Sequence, residues 1–549
     1  MRAERAVQTA LLALLALYFL IALVLPMAAL ALRSVTGAEG LSLEHYSRWL
    51  AEPRLLRAAV NSLVLGLATA ALTTPLAFGY AYALERTRMP GKRLFAALGY
   101  TPILVPSLLP ALALMILFGT QGLARPLLGD ASIRGFHGLV LASALFTFPH
   151  ALIVLRTALS AADGRLYEAG KVMGAGGGRM FFAVTLPQVR HGLVSAFLIV
   201  FMLTVADVGA PKVVGGDFDV LALAIYQQVV GLQNFALGGV IAMALLAVTL
   251  VALAIERWAA KAGSGAVDAR ALPLVLAPHA GRDATALAFC GLIAAALATV
   301  ILVCLAASLV RFWPYDFTLT FEHYRLDRSL AGGFAPLANS LWLAAATGLG
   351  GATLVFAGAY LLEKTPVAGA ARGALSALAL APAAIPGLAL GLAYVFFVST
   401  PANPLGGLAG TMTLLVVATI THFYSVAHLT ALAALRNLDS AFETAARVMG
   451  RPFWVLAARV SAPLSAPAIV DVGVYFFVNA MTTVSAVIFL YGPGTPLAAV
   501  AVLNLDDSGD LAPAAALAML IFAVNLAVRI GGDALREALT PRTRLRSVA

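Results

Sequence analysis

YEAGKVMGAGGGRMFFAVTLP, residues 167–187, breaks the rhythm of the chain that carries it. The protein has 549 residues, 61% of them hydrophobic and only 11% charged. Soluble domains hold roughly 25% charged residues, so this much apolar surface needs lipid as its solvent. Against that background the quoted stretch is small, glycine-rich and scattered with charge. Gly174, followed by Ala-Gly-Gly-Gly, should end one short helix and turn the chain into another. Ala169, Gly170 and Gly174 let a foreign surface approach the backbone closely. Met180, Phe181, Phe182, Val184 and Leu186 offer an apolar face. Pro187 fits the first turn of the next helix, where its missing N–H is not needed. The stretch therefore reads as two short helices joined by a tight elbow, a plug for a socket on a partner.

A second copy, FETAARVMGRPFWVLAARVSAPL, occupies residues 442–464, and Gly174 to Pro187 and Gly450 to Pro463 are both thirteen apart. One such segment would be a long loop with a fraying helix; two argue for docking. The copies belong to a duplication of the whole chain. Glu44-His45-Tyr46 recurs as Glu322-His323-Tyr324, Asn61-Ser62 as Asn339-Ser340, and Tyr82 and Glu85 as Tyr360 and Glu363, all 278 residues later. Pro102 and Pro106 recur as Pro382 and Pro386 at an offset of 280, Gly174 and Pro187 as Gly450 and Pro463 at 276. So little drift over half a chain marks repeated units.

Twelve apolar stretches can cross ~30 Å of hydrocarbon as helices. They are 6–32, 58–84, 94–118, 138–155, 192–208 and 235–255, then 286–310, 341–362, 374–398, 411–432, 468–490 and 511–528. The first is too long for the apolar core of a signal peptide and reads as a retained span. The predicted fold is an all-α polytopic membrane protein, with 12 transmembrane helices as two halves of six. An even number of spans per half puts both halves the same way up, a parallel repeat. The halves are 1–258 and 284–549, with docking loops near 163–190 and 439–466 and a polar linker at 259–283. With the N-terminus inside, inner segments hold 26 of the 36 Lys and Arg residues. That bias predicts cytoplasmic termini and cytoplasmic docking loops. It also explains the net charge of +10 without nucleic acid.

Several chemistries are missing. Cys290 and Cys304, fourteen residues apart in one apolar run, would lie ~21 Å apart on a helix, too far to bridge. The eight histidines form no metal-binding spacing. No glycine-rich phosphate loop precedes a Lys-Ser or Lys-Thr pair. No catalytic residue, metal site or cofactor of this chain's own is expected.

Polar groups inside spans are costly and draw a functional reading. Thr204 and Asp207 close the fifth span. Asn479, Thr482, Thr483 and Ser485 occupy its counterpart, with Thr483 equivalent to Asp207. Ser107 lies between Pro106 and Pro110 in the third span, and prolines there should open the helix toward a water-lined path. These seven are the candidate translocation residues. The bland alternative is that hydroxyls and amides bond their own helix carbonyls. An ion-coupled secondary transporter would need deep ionisable groups, for which only Asp207 and Asp471 are candidates.

Both docking loops resemble the "EAA" loop, E-A-A-x3-G-x9-I-x-L-P, of permease subunits in ABC importers. The first copy supplies Glu168, Ala169, Gly174, Leu186 and Pro187, with Gly170 for the second alanine. The second supplies Ala445, Ala446, Gly450 and Pro463. There Thr444 stands at the acid's position, and Glu443 lies one residue earlier, ~100° away on a helix. The wider match is to fused two-half permeases of the ferric-iron, thiamine and phosphonate group, and within it to 2-aminoethylphosphonate importer permeases. It rests on FGTQGL (118–123), LFTFPHAL (145–152), DVGAPKVVGGDFDVLALAIYQQVVGLQNF (207–235), RFWPYDFTLTFEHY (311–324), THFYSVAHLTAL (421–432) and the stretch 476–510.

The resemblance implies the type I ABC importer permease fold in a bacterial inner membrane. It implies two ATPase subunits on the cytoplasmic side, carrying ATP and Mg, and a soluble solute-binding protein outside. The cargo it implies is 2-aminoethylphosphonate, with ferric iron, thiamine or a polyamine as alternatives. The spans hold neither a cluster of Arg and Lys for an anion nor converging ligands for iron. Selection is therefore expected to rest on the binding protein.

Overall fold

The computed structural model describes all residues except 1, 38–39, 264–273, 275, 277, 330–331, 367–368, 402 and 541–549. Among them, nine unbroken helices are long and apolar enough to cross a membrane, and three further candidates are bent pairs. In chain order the helices are α1 (Glu4–Ser34), α2 (Pro53–Arg86), α3 (Lys92–Leu104 with Leu109–Phe118), α4 (Phe136–Ser160), α5 (Gly177–Ala206) and α6 (Phe235–Ala259). The second series is α7 (Ala280–Leu309), α8 (Ala335–Lys364), α9 (Gly369–Ala384 with Gly387–Val398), α10 (Met412–Arg436), α11 (Phe453–Leu464 with Ala466–Thr482) and α12 (Leu511–Leu539).

The breaks have local causes. α3 bends by 97° and α9 by 113°. The residue before a proline is pushed to extended backbone, and Val105, before Pro106, has φ −120° and ψ 153°. Ile385, before Pro386, is likewise extended. The prolines thus do more than kink these spans: each splits into two helices. α11 ends at Thr482 rather than continuing to 490, because residues 483–497 leave the helix through turns. α6 and α7 reach into the expected linker from both sides, to Gly263 and from Ala280. The heart of that linker falls outside the described residues.

Two compact units do not follow the sequence halves. One comprises Leu43–Ala331 and Val502–Met519, the other Met1–Ser42, Gly332–Ala501 and Leu520–Ala549. Each sequence half lends its first span to the other half's core. In the second unit, α1 lies against α9: Tyr394 Oη donates to the Ala22 carbonyl, and Tyr18 and Thr421 of α10 share a 2.8 Å hydrogen bond. In the first unit, α7 lies against α2, where a Cβ on Gly79 would come within 2.9 Å of the Phe289 ring.

Close helix approach uses missing side chains, since apolar burial gives helices no preference over lipid. Gly66 on α2 admits the Phe201 ring of α5, and Gly351 on α8 admits Phe476 of α11.

Candidate functional site

The two elbows begin alike. Asp163 accepts the Arg165 N–H at the start of the helix Gly164–Val172, and Asp439 accepts the Ala441 N–H at the start of Ala441–Val448. Each carboxylate satisfies a donor that the first helical turn leaves open. The ends match too. Gly174 has φ +71° and Gly450 φ +64°. Ala175 N–H reaches back to the Gly170 carbonyl, and Arg451 N–H to Ala446. This six-residue closure with a left-handed glycine ends a helix sharply and needs glycine's freedom at that one position.

Beyond the turn, the expected second short helix is absent as a separate element in the first copy. Gly177–Met180 runs on into α5 through a wide turn at Phe181–Thr185. The second copy also has a wide turn, at Ala457–Ser461, but its helix Phe453–Leu464 breaks at Ser465 and bends by 77° from Ala466–Thr482, so there the second short helix stands apart as expected. Pro187 and Pro463 explain the wide turn: neither can donate to the regular ladder, and the looser loop accommodates the ring. The first elbow is therefore one short helix hinged to a long one, with Pro187 inside the unbroken run Gly177–Ala206, whereas the second is two short helices, Ala441–Val448 and Phe453–Leu464, ahead of the span.

Glu168, Ala169, Gly174 and Pro187 are exposed, Leu186 is half-buried and Gly170 is buried. Thr444, Ala445, Gly450 and Pro463 are exposed, and Ala446 is buried. A Cβ at Gly170 would sit 2.7 Å from Cε at the flexible end of Met180, which would have to swing aside. Leu456 is the sequence equivalent of Met180 in the second copy.

Sequence reasoning missed the tips. Val172 and Met173 are 89% and 77% exposed, Val448 and Met449 83% and 67%. The signal was present: Val-Met-Gly recurs at the offset of 276. Each unit thus carries a pair of exposed apolar residues at the tip of a polar elbow.

Glu443 corrects a second expectation. It is not a displaced docking acid. Its Oε1 lies 3.0 Å from Lys364 Nζ at the end of α8, with the two side chains only 14% and 8% exposed. Lys364 also donates to the Leu438 carbonyl. The offset of 276 pairs Glu443 with Tyr167, not with Glu168. In the first unit Arg86, the equivalent of Lys364, donates to the Leu159 carbonyl and lies over the Tyr167 ring, 5.4 Å from its centroid. A cation at the end of the second span thus braces each elbow, by a ring in one copy and a carboxylate in the other. Beside each brace the repeated acid, Glu85 or Glu363, pairs with an arginine of the fourth span, Arg156 or Arg436, at positions that are not repeat equivalents.

The candidate path residues are mostly satisfied from within. Ser107 Oγ donates to Asp207 Oδ1 over 2.6 Å, and the Gly209 and Ala210 N–H groups donate to the same carboxylate. Asp207 fixes the turn from α5 into the helix Gly209–Val214. Thr204 is buried one turn earlier, its carbonyl accepting the Asp207 N–H. In the other unit Asn479 donates to the Tyr475 carbonyl and Thr482 to that of Val478, both within their own helix. Thr483 is buried, and Ser485 lies against Gly387. The two groups fall in different compact units. No group of three or more His, Cys, Asp or Glu able to hold a metal occurs among the described residues.

The sequence profile of the family described as "binding-protein-dependent transport system inner membrane component" matches residues 75–261 and 355–544, one segment in each repeat. The chain is 26% identical over 554 residues to the ferric transport system permease protein of Actinobacillus pleuropneumoniae, covering 96% of this chain and 78% of that one. It is 27% identical over 463 residues to a putative ferric transport system permease protein of Haemophilus influenzae, covering 81% and 71%. A spermidine/putrescine transport system permease of Haemophilus influenzae is 28% identical over 35% of this chain and 71% of its own length. Among solved structures, a bacterial ABC transporter involved in alginate import shares 20% identity over 45% of this chain and 91% of the matched chain, with a TM-score of 0.36.

Proposed function

Because this chain belongs to the binding-protein-dependent transport system inner membrane components, an ABC importer permease family, we propose that its two elbows are the docking points for two cytoplasmic ATPase subunits. In this reading Val172, Met173 and Gly174 enter one ATPase, Val448, Met449 and Gly450 the other, and closure of the ATPase pair pulls on α5 and α11. Hydrolysis and its ATP and Mg belong to those partners, and a soluble binding protein delivers cargo from outside. The termini are cytoplasmic. The observation that carries the proposal is the duplicated tip: an exposed Val-Met pair held out on a capped, glycine-closed helix, once per repeat. Continuity of the helix after the first elbow with α5 supports it, because a push there has an unbroken route into the span.

For the cargo we propose ferric iron ahead of 2-aminoethylphosphonate. The two relatives that span most of this chain are named for ferric transport, and none of those named above is a phosphonate permease. The path residues support a conduit that does not itself ligate iron, since Asp207 is already held by Ser107 and two backbone N–H groups.

Gly174→Trp and Gly450→Trp test docking. Each variant should insert into membranes normally yet lose co-purification with the ATPase at its own elbow. Undiminished co-purification of both would reject the proposal. Thermal-shift titration of the partner binding protein with ferric citrate, 2-aminoethylphosphonate and putrescine tests the cargo.

A further inference from the structure

The repeated Asn-Ser pair, so far only a marker of duplication, has a task in each unit. Asn61 Nδ2 donates to the Asp219 carbonyl over 2.9 Å, and Ser62 Oγ accepts the Leu221 N–H over 2.7 Å. In the other copy Asn339 Nδ2 donates to the Pro496 carbonyl over 3.1 Å, and Ser340 Oγ accepts the Ala498 N–H over 2.8 Å. Both serines cap, from a neighbouring span, a short helix that follows the fifth span: Leu221–Tyr226 in one copy and Ala498–Asp507 in the other. Val220, at the cap position itself, provides no side-chain bond. An orphan N–H at a helix start needs a partner, and here a distant serine supplies it. Each short helix therefore has a fixed start and projects its far end.

Those far ends meet one residue. Lys212 Nζ lies 4.0 Å from the centroid of the Tyr226 ring and 2.7 Å from Asp507 Oδ2. Lys212 stands on Gly209–Val214, the helix that Asp207 caps at the end of α5. All three residues lie in one compact unit. Yet Asp507 comes from the second sequence repeat, and Lys212 and Tyr226 from the first. The contact has no twin. At the offset of 276 Ile488 stands for Lys212, and 277 residues before Asp507 stands Val230. The fold that both copies share does not require it, so it does something that happens once. The Lys212 side chain is 12% exposed, and an ammonium so covered keeps its partner until another takes its place.

We propose that Lys212, Tyr226 and Asp507 form an outer latch that ties the end of the fifth span of the first repeat to the short helix of the second, and that the latch opens once in each transport cycle. This rests on the permease reading above.

The test uses the complete complex with its ATPase and binding protein. Lys212→Cys and Asp507→Cys are combined; Cys290 and Cys304 are fully buried and leave the background silent. A short bis-thiosulfonate should join the pair in the resting complex. The joined complex should import at least about tenfold more slowly and recover on reduction, because a required conformational step is blocked. Crosslinking yield should fall at least about fivefold when a non-hydrolysable ATP analogue and the binding protein are both present, the mark of a shifted population. Full import by the joined complex, or a yield indifferent to nucleotide, overturns the latch. Lys212→Met and Asp507→Asn give a second reading: ATP hydrolysis without binding protein should rise at least about threefold, since closure is no longer held. Unchanged basal hydrolysis in both variants overturns it as well. A reduced complex that keeps its ATPase yet imports nothing counts against the permease reading, while crosslinking yield still decides the latch.

Discussion

The two elbows share a frame and differ in what braces it. Both open on an aspartate cap, close on a left-handed glycine and expose Val-Met at the tip. Beneath, one rests on Arg86 over the Tyr167 ring, the other on Lys364 paired with Glu443. At the next position the first has an exposed acid, Glu168, and the second a neutral Thr444. The second elbow has not simply lost the family's acid by a shift of one residue. It has an acid where the first has a ring, and it uses that acid inward. The copies keep the shape of the elbow and exchange the chemistry that anchors it. At the position of Glu168 and Thr444, only the first elbow presents an exposed carboxylate.

The largest expected effect breaks that anchor. Lys364→Met leaves Glu443 buried and unpaired, and removing one member of a buried ion pair costs about 3–5 kcal/mol. The second elbow should loosen, seen as faster proteolysis near Gly450 and loss of ATPase at that elbow, with the first untouched. Tyr167→Leu removes a cation–π contact worth about 0.5–2 kcal/mol and the 2.9 Å hydrogen bond from its hydroxyl to buried Thr185, about 1 kcal/mol more, so the first elbow should loosen less than the second. Installing the first-copy pair, Lys364→Arg with Glu443→Tyr, should restore the second elbow. If the transplant stays loose while Tyr167→Leu loosens the first elbow as much, the two braces are not equivalent.

A second comparison lies where the break in the third span of each repeat meets the end of the fifth. Ser107 faces Gly209 in one unit, its Oγ 2.8 Å from where a Cβ would stand. In the other unit the roles are exchanged, and Ser485 faces Gly387. Each crossing has room for one hydroxyl, supplied from opposite sides. Gly387→Ser should overpack the second crossing at a cost of about 1–3 kcal/mol. Gly387→Ser with Ser485→Gly rebuilds the first-copy arrangement and should recover most of the loss in thermal unfolding. A double variant no better than the single would show that the crossings are not interchangeable.

These pairings show how far the sequence could be read. The duplication, the elbows and the two glycines were legible because each depends on local demands: a glycine that ends a helix, a fixed repeat offset, an apolar run of spanning length. The broken third spans were half legible, since prolines announce a disturbance but not a bend near a right angle. The inward turn of Glu443 was not read, because it depends on Lys364 at the end of another helix. The offset of 276, applied strictly, would have aligned Glu443 with Tyr167. The exchange of first spans between cores was hidden, because lipid-facing helices look alike whichever core they join. Asp207 drew a functional reading as a charged residue near a span, whereas Ser107 and two N–H groups give it a structural task.

A smaller effect should be the same in both elbows. Gly174→Ala and Gly450→Ala meet open space, with no atom within 4 Å of the new Cβ. Only the left-handed backbone opposes them, at about 1–2 kcal/mol each. Equal losses of ATPase affinity would confirm that the frame is common to both copies. Unequal losses would extend the asymmetry from the braces to the tips.

The smallest effect concerns the short helices held by the Asn-Ser pairs. The second-copy helix Ala498–Asp507 ends in two acids, where the first has Val229 and Val230. Burial, with Asp507 beside it, pushes the Asp506 carboxyl up to about 6, against the pull of Lys212 and Arg134. An ordinary aspartate titrates near 3.9. Between about pH 4 and 6 the folded chain therefore keeps a proton that the unfolded chain has released, and stability falls as pH rises through that window. Above pH 6 the loss is complete and constant. Asp506→Asn removes the charge and with it the slope. At pH 8 the variant should be more stable by about 1 kcal/mol, less than the full shift implies because the group is partly solvated. At pH 4 the two should coincide. Tm measured from pH 4 to 8 reads both statements, and parallel curves for the two proteins would rule out burial of Asp506 as the source. The helix Leu221–Tyr226 has no such acid, so any residual slope in Asp506→Asn must come from elsewhere than the first-copy helix.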